Sequence, residues 1–262
     1  MLCIDNTCTD VYFNLAAEEY LLKNSTEDIF MLWQNEPSVI IGKYQNIYRE
    51  VNVPYAQENG LKLARRFSGG GAVYHDAGNL NFTFIETRRN PDFDRYVEVL
   101  KNVLAQWNVP VESDERRGLY VDNLKISGSA QSIHKNRVLF HATLLVDSNL
   151  EKLERSLEGA FDASTLNRGK EKFSVPSVKS PVSNLLSFLP KETNLQQVKE
   201  SVLSYFSSSA NSVVSDIVFF EKSRREINAL KEHRYTTKDW IYAFSSLPVG
   251  SEQGARSDTP PA

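Results

Sequence analysis

Hydrophobic residues recur along the chain with two periods, one typical of helices and one typical of strands. Residues 92–107 carry apolar side chains three and four positions apart, which predicts an amphipathic helix. Residues 80–85 alternate apolar and polar side chains, as an antiparallel strand with one packed face does. Shorter apolar runs bounded by turn residues predict further strands. These runs are residues 29–33, 39–41, 61–66, 119–121, 125–129 and 138–146.

The remaining pattern predicts a mixed α+β domain, with largely antiparallel mixed sheets and flanking helices. Residues 14–22 indicate a helix with Asn14 as its N-cap, and residues 150–157, 195–206 and 216–233 indicate three more. Residues 72–75 and 80–85, joined by a polar turn, predict a hairpin. We expect one domain over residues 1–246, followed by a disordered polar tail over 247–262.

Composition excludes few functions, but it indicates what kind of protein this is. The 262 residues are 41% hydrophobic, enough for a full core, and the net charge of -3 argues against a nucleic-acid partner. Two cysteines, Cys3 and Cys8, lack the spacing of a Cys-x-x-Cys pair, which favours a reducing compartment. No apolar run has the length of a membrane span, so we expect a cytoplasmic protein without a membrane partner.

A doubled arginine followed by three glycines is the most informative local feature. Arg65 and Arg66 precede Phe67 and Ser68, and glycine occupies positions 69–71. Backbone without Cβ atoms can approach a ligand closely, and successive N–H groups in such a turn bind anions. The segment therefore predicts a site for an anionic small molecule, with the N–H groups of residues 71–74 unpaired until the ligand binds. It is not a P-loop, because no Gly-Lys-Ser/Thr follows.

Lys125 and two histidines are further candidates. A lysine at a strand start is usually a solvated edge charge, but the small residues at 127–130 would let a ligand approach Lys125. His75 and His141 lie among apolar neighbours, where a hydrogen-bonded core histidine is the ordinary case. The histidines lack metal-ligand spacing, and we predict no protein-held metal.

Several of these segments, in this order, closely resemble the lipoate–protein ligase A family of the lipoate/biotin ligase group. The likeness runs from near the first predicted helix to about Trp240, and generic glycine loops do not share the order of its motifs. The segments that carry it are RRFSGGGAVYHD (65–76), GNLNFTF (78–84), KISGSA (125–130), HATLL (141–145), SVKSPVSNL (177–185), and the shorter matches at 32–33, 35–37, 41–42 and 45–46.

The resemblance implies a biotin/lipoate ligase-like catalytic domain and a two-step acyl transfer. Lipoate and ATP-Mg²⁺ would give lipoyl-AMP, and the lipoyl group would then pass to a lysine of a lipoyl carrier domain, apo-E2 or H-protein. Lys125 would be the catalytic residue and would contact both ligands. The other implied residues are Arg66, Gly71, Ala72, Val73 and Tyr74 for ATP, and Ser68, His75, His141 and Trp33 for lipoate.

Two departures from the family pattern keep other hypotheses open. The family usually carries Arg-Asn-Asp where this chain has Arg116, Arg117 and Gly118. The usual small C-terminal accessory domain is also lacking, which would call for a separate accessory subunit or for preformed lipoyl-AMP. The alternatives are an ATP-independent octanoyl or lipoyl transferase of the same fold, and a non-catalytic regulatory protein that binds lipoate or lipoyl-AMP.

Overall fold

Short strands and helices alternate through the first part of the chain. The computed structural model describes residues 1–159, 175–209, 213–215, 220–221 and 223–245. Up to residue 105 the elements are β1 (Leu2–Asn6), α1 (Val11–Asn24), β2 (Ile29–Trp33), β3 (Ser38–Ile41), α2 (Ile47–Glu50), α3 (Val53–Glu58), β4 (Lys62–Arg65), β5 (Val73–His75), β6 (Asn79–Thr87) and α4 (Asp94–Ala105).

A strand-rich segment follows, and helices predominate after it. The elements are β7 (Glu112–Ser113), β8 (Leu119–Val121), β9 (Leu124–Ser127), β10 (Ser129–His134), β11 (Arg137–Leu145), α5 (Leu150–Ser156), a 3-10 turn (Leu185–Phe188), α6 (Leu195–Ser209), β12 (Val213–Ser215), α7 (Arg224–Leu230) with a π-helical extension (Lys231–Tyr235), and α8 (Lys238–Ile241). None of the helices in the described ranges combines the length and the apolar character needed to cross a membrane.

Six strands form the central sheet in the order β10-β11-β6-β2-β1-β12. Pairing is antiparallel from β10 to β2 and parallel from β2 to β12. Two three-stranded sheets, β4-β3-β5 and β7-β8-β9, stand beside it. The predicted α+β class with mixed, largely antiparallel sheets is confirmed.

The central sheet is covered on both faces, which explains why all five residues of β2 are buried. Phe30 and Leu32 face a core closed by α4 and α6, where the rings of Phe30 and Phe206 stack 3.7 Å apart. Met31 and Trp33 face the opposite core, closed by α1 and α7. Full burial of such side chains stabilises the fold by about 1.5–3 kcal/mol each, and it holds β2 against β6, which pairs with β11 on its other edge.

The predicted hairpin over residues 72–85 is wrong. β5 pairs with β3 in a separate sheet, while β6 pairs with β2 and β11 in the central one. The chain changes sheets at Gly78, whose carbonyl accepts N–H bonds from Val146 (3.0 Å) and Asp147 (2.9 Å) at the end of β11. A Cβ at Gly78 would lie 2.0 Å from the Asp147 carbonyl oxygen, so only glycine permits this close approach.

Most predicted helices are confirmed, with two corrections. α1 begins at Val11, because Asp10 rather than Asn14 accepts the first N–H bonds, from Tyr12 and Phe13. Of the predicted helix over 216–233, the described residues from Arg224 onward form α7 and its π-helical extension, and β12 ends at Ser215, just before the predicted range. Residues 216–219 and the predicted tail at 247–262 lie outside the described residues, and the extent of the domain stays a prediction.

Candidate active site

Arg66 lies inside the glycine loop and organises it. Its Nη2 donates to the carbonyls of Gly69 and Gly71, both at 2.7 Å, and its Nη1 donates to the Ile40 carbonyl. Its Nε donates to Ser68 Oγ at 3.1 Å. The side chain is only 5% exposed. Arg66 therefore holds the loop in shape through the loop's own carbonyls.

Arg65 points the other way and joins the loop to the C-terminal part of the described chain. The side chain is fully buried, and burial together with the charge of Arg66 lowers its pKa to about 10, so it stays protonated at neutral pH. Its guanidinium donates to backbone carbonyls instead of a carboxylate. The acceptors are the carbonyls of Gly42, Lys43, Gln45, Trp240 and Ile241.

A cleft of about 1150 Å³ opens beside the loop and brings the two predicted anion-binding elements together. Ala72, Val73 and Tyr74, which follow the three glycines, line this cleft, and so does Lys125. A volume of several hundred Å³ or more is typical of a small-molecule site. Other lining residues are Arg49, Glu50, Ser127, Gly128, Thr143, Leu145, residues 150–151, 153–154 and 157–158 of the α5 region, and residues 176–182.

Lys125 is held in the cleft by its own backbone. Its N–H donates to the Pro181 carbonyl (2.8 Å), and its carbonyl accepts from the Ser183 N–H (3.1 Å). A Cβ at Gly128 would lie 3.8 Å from Lys125 Nζ, an ordinary van der Waals contact, so residue 128 borders the ammonium without crowding it. Burial lowers the pKa of Lys125, and the Asp114 carboxylate opposes this change. The side chain is thus partly desolvated, as a cation that binds an anion in a cleft should be.

Ser177 hydrogen-bonds to the backbone segment that the sequence predicted to bind an anion. The Ala72 N–H donates to Ser177 Oγ at 2.8 Å, and Gln45 Nε2 donates to the same oxygen at 3.0 Å. The Ser177 N–H donates to Glu50 Oε2 at 3.0 Å. The prediction that all N–H groups of residues 71–74 are unpaired is therefore wrong at Ala72. The Ala72 N–H is paired with this hydroxyl oxygen.

A buried polar network links Ser68, His141 and Trp33, three of the residues predicted for lipoate. Ser68 Oγ lies 3.0 Å from His141 Nε2, and His141 Nδ1 lies 2.9 Å from Glu18 Oε1. Thr83 Oγ1 donates to Glu18 Oε1 (2.7 Å) and accepts from Trp33 Nε1 (2.8 Å). None of these five residues lines the large cleft. No role for Glu18 was predicted from the sequence. The available signal was a carboxylate among the apolar residues of α1.

His75 is the fourth predicted lipoate residue. Its Nδ1 lies 3.0 Å from Asn35 Nδ2, outside the hydrogen-bond network just described. Its ring meets the Trp33 ring edge-on at 6.1 Å, and its Nε2 has no hydrogen-bond partner among the described residues. Burial and the charge of Arg66 lower its pKa to about 3. His75 is therefore neutral at physiological pH.

Replacing His75 by glutamine should reduce the acid sensitivity of the fold. The unfolded histidine takes up a proton below its usual pKa of 6.5 and the folded one does not, so stability falls as pH drops from 6.5 towards 3. Between pH 7.5 and pH 5 this linkage amounts to about 2 kcal/mol. Urea unfolding at both pH values should show that loss in the wild type and in the exposed-site control His233→Gln, and a smaller loss in His75→Gln. Equal losses in all three would contradict the assignment.

The fold and the cleft together define a class of protein. A glycine-loop backbone and a partly desolvated lysine that face one cleft suit an enzyme that binds and activates an anionic small molecule. Residues 10–207 match the family model of the lipoyl protein ligase A/B catalytic domain. The chain belongs to this family.

Named relatives agree with this assignment. The chain is 36% identical to lipoate-protein ligase LplJ of Bacillus subtilis, in a match that spans 96% of this chain and 79% of that protein. It is 34% identical to lipoate–protein ligase 1 of Staphylococcus aureus, across 91% of this chain and 72% of the relative. The structure of Plasmodium falciparum LipL1 in complex with lipoate aligns with a TM-score of 0.75 at 26% identity, covering 92% of this chain and 74% of that one.

Proposed function

We propose that this protein is a lipoate–protein ligase that activates lipoate with ATP and transfers the lipoyl group to a lysine of a lipoyl carrier domain. Family membership supports the reaction, and one observation supports the site: the end of the glycine loop and Lys125 line the same cleft. The cleft volume, about 1150 Å³, leaves room for a nucleotide and an acyl chain together.

Joining a carboxylate to a phosphate depends more on a positive charge between the two anions than on a general base. In the first step a lipoate carboxylate oxygen attacks the α-phosphorus of ATP, an acyl–phosphate bond forms, and pyrophosphate leaves. In the second step the acceptor amine attacks the acyl carbon, AMP leaves, and the amine loses a proton. Both anionic reactants repel one another until a cation lies between them, and Lys125 is placed to supply that charge at low reorganisation cost.

We propose that ATP lies along residues 71–74 and that the lipoyl group extends towards Ser68, His75, His141 and Trp33. Arg66 would act on the nucleotide through the loop it shapes, since its donors already bind the loop carbonyls. Displacement of Ser177 Oγ would free the Ala72 N–H for a phosphate oxygen. Mg²⁺ would arrive with the phosphates, because no group of three or more acidic, cysteine or histidine side chains in the described ranges is arranged to hold a metal.

The thiols argue against an ATP-independent transferase that uses a cysteine nucleophile. Cys3 is fully buried in the core, and burial raises its pKa to about 11. Cys8 is partly buried in the segment between β1 and α1. Neither residue lines the cleft. A thiol with a raised pKa is a poor nucleophile, because the thiolate is the reactive form.

Lipoate-dependent release of pyrophosphate by the purified protein tests the proposal. With ATP-Mg²⁺ we expect release that requires lipoate and continues in the folded double variant Cys3→Ala/Cys8→Ala. Loss of transfer in that variant, with its fold intact by circular dichroism, would favour the cysteine transferase. Absence of release at every lipoate concentration would favour the non-catalytic binding protein or a reaction that needs preformed lipoyl-AMP.

The carrier domain, the accessory subunit and the cytoplasmic location stay predictions. A solved structure described as an archaeal bipartite lipoate protein ligase with its E2 lipoyl domain, from Thermoplasma acidophilum, aligns with a TM-score of 0.73 at 25% identity, covering 95% of this chain and 98% of that one. Its description motivates an apo-E2 lipoyl domain as the first acceptor to test. A second subunit would be indicated if acceptor modification by this chain succeeded from lipoyl-AMP and failed from ATP and lipoate.

A further inference from the structure

In the turn before β8, the Asp114 carboxylate lies over Gly118, next to the side chain of Lys125. Gly118 is buried and has no side chain, and the Asp114 carboxylate closes over it: Oδ1 accepts the Gly118 N–H at 2.7 Å and the Arg116 N–H at 3.0 Å. Asp114 Oδ2 accepts the Tyr120 hydroxyl at 2.9 Å. Although the turn is exposed, three hydrogen bonds hold this carboxylate in one orientation.

The space above Gly118 is where Asp114 and Lys125 come together. A Cβ at Gly118 would lie 3.2 Å from Asp114 Oδ1 and 3.1 Å from Lys125 Cε. It would lie 3.0 Å from Cε2 of Tyr120, and the Lys125 ammonium lies 5.9 Å from the centre of the same ring. The first atom of any side chain at 118 would therefore enter the gap between the carboxylate and the lysine stem.

We propose that Asp114 is a positioning residue for Lys125, because the turn fixes its carboxylate beside the lysine stem above Gly118. The proposal rests on the proposed function, in which the Lys125 ammonium lies between the carboxylate of the acyl substrate and the α-phosphate. Asp114 and Tyr120 limit the positions that the lysine side chain can adopt before the ligands bind. The lysine side chain then loses less conformational entropy when the ligands bind and react.

The charges around Lys125 agree with this role. Burial lowers the pKa of Lys125; Asp114 raises it, and Arg116 on the same turn lowers it. Burial alone would raise the pKa of Asp114, but hydrogen bonds from Gly118 and Tyr120 and the charge of Lys125 bring it below its usual value. The Lys125 ammonium lies over the Tyr120 ring on β8. The other charged side chains that line the same cleft are Arg49, Glu50, Glu151, Glu154, Glu158 and Lys179. Asp114 thus opposes the lowering of the Lys125 pKa by burial and by a neighbouring cation.

Two readouts on the variant Asp114→Asn test the proposal, with Asp122→Asn as the matched control. Asp122 is exposed in the turn between β8 and β9, where its backbone has a φ of 49° that asparagine also adopts, so the control removes the same charge from the same hairpin. We expect Asp114→Asn to lower the Lys125 pKa measured by NMR of labelled lysine. It should also lower kcat for lipoate-dependent pyrophosphate release about 10–100-fold, the usual cost of losing a partner that orients a reacting group.

The pH profile and a conservative variant separate positioning from a merely structural role. Because activity requires protonated Lys125, the alkaline limit of the rate should move to lower pH in Asp114→Asn and stay in place in Asp122→Asn. The conservative variant Asp114→Glu, which keeps the negative charge on the same turn, should retain more of the wild-type rate than Asp114→Asn.

An unchanged Lys125 pKa and an unchanged rate profile in Asp114→Asn would overturn the inference. So would an Asp114→Glu variant no more active than Asp114→Asn, provided both are folded. If the wild type released no pyrophosphate, the proposed function would fail separately. The Lys125 pKa, measured without substrates, would still support or refute the effect of Asp114.

Discussion

Replacement of Lys125 by alanine is expected to slow lipoyl-adenylate formation about 10²–10³-fold, the usual cost of removing one preorganised group that stabilises charge in a transition state. Lys125 lines the same cleft as residues 72–74, and burial keeps its side chain partly desolvated, where a charge acts more strongly than in water. Single-turnover measurement of pyrophosphate release isolates this step.

The variant Lys62→Ala is the control for this experiment. Lys62 is an exposed lysine in β4, a strand that leads into the glycine loop, and it does not line the cleft. We expect it to keep the wild-type rate. Lys125→Ala with the wild-type rate and an unchanged fold would remove Lys125 from the mechanism.

Replacement of Gly42 by alanine is expected to lower kcat/KM for the nucleotide about 10²-fold, the loss that a misplacement of about 1 Å can cause. The new Cβ would lie 2.1 Å from the Gly70 carbonyl oxygen and 3.2 Å from the Gly69 carbonyl carbon. The loop must therefore move, and its movement disturbs the Gly69 and Gly71 carbonyls that bind Arg66. Initial rates at varied ATP concentration, combined with urea unfolding, report both effects.

The variant Gly69→Ala adds the same methyl group within the loop and serves as the control. A Cβ at Gly69 would meet no atom within 4 Å, and its φ does not lie in the left-handed region. We expect near wild-type kinetics and stability. If the two alanine variants behaved alike, close packing of Gly42 against the glycine loop would not determine the site.

Local sequence patterns predicted most of the strands because burial on both sheet faces leaves a strong signal. The runs that became β2, β3 and β11 are almost wholly apolar, and each forms a strand within one residue of its predicted bounds. The resemblance implied that Lys125 and residues 72–74 bind the same nucleotide, and this stays a prediction. All four residues line one cleft.

Interactions between residues distant in sequence account for what the patterns missed. The predicted hairpin failed because Gly78 packs against the end of β11, almost 70 residues away, and this contact sends β5 and β6 to different sheets. The role of Arg66 depends on carbonyls of a loop whose path residue types alone do not reveal. Glu18 binds His141 across 123 positions, and only the folded chain brings the two together.

Mass spectrometry of an apo lipoyl domain tests the central claim most directly. Incubated with this protein, ATP-Mg²⁺ and lipoate, the domain should gain the mass of one lipoyl group at a single lysine, and omission of ATP should abolish the gain. The Lys125→Ala variant should give little or no modification in the same time, and the Lys62→Ala variant should match the wild type. A mass gain without ATP from an octanoyl or lipoyl carrier donor, with none from ATP and lipoate, would contradict the assignment as a ligase.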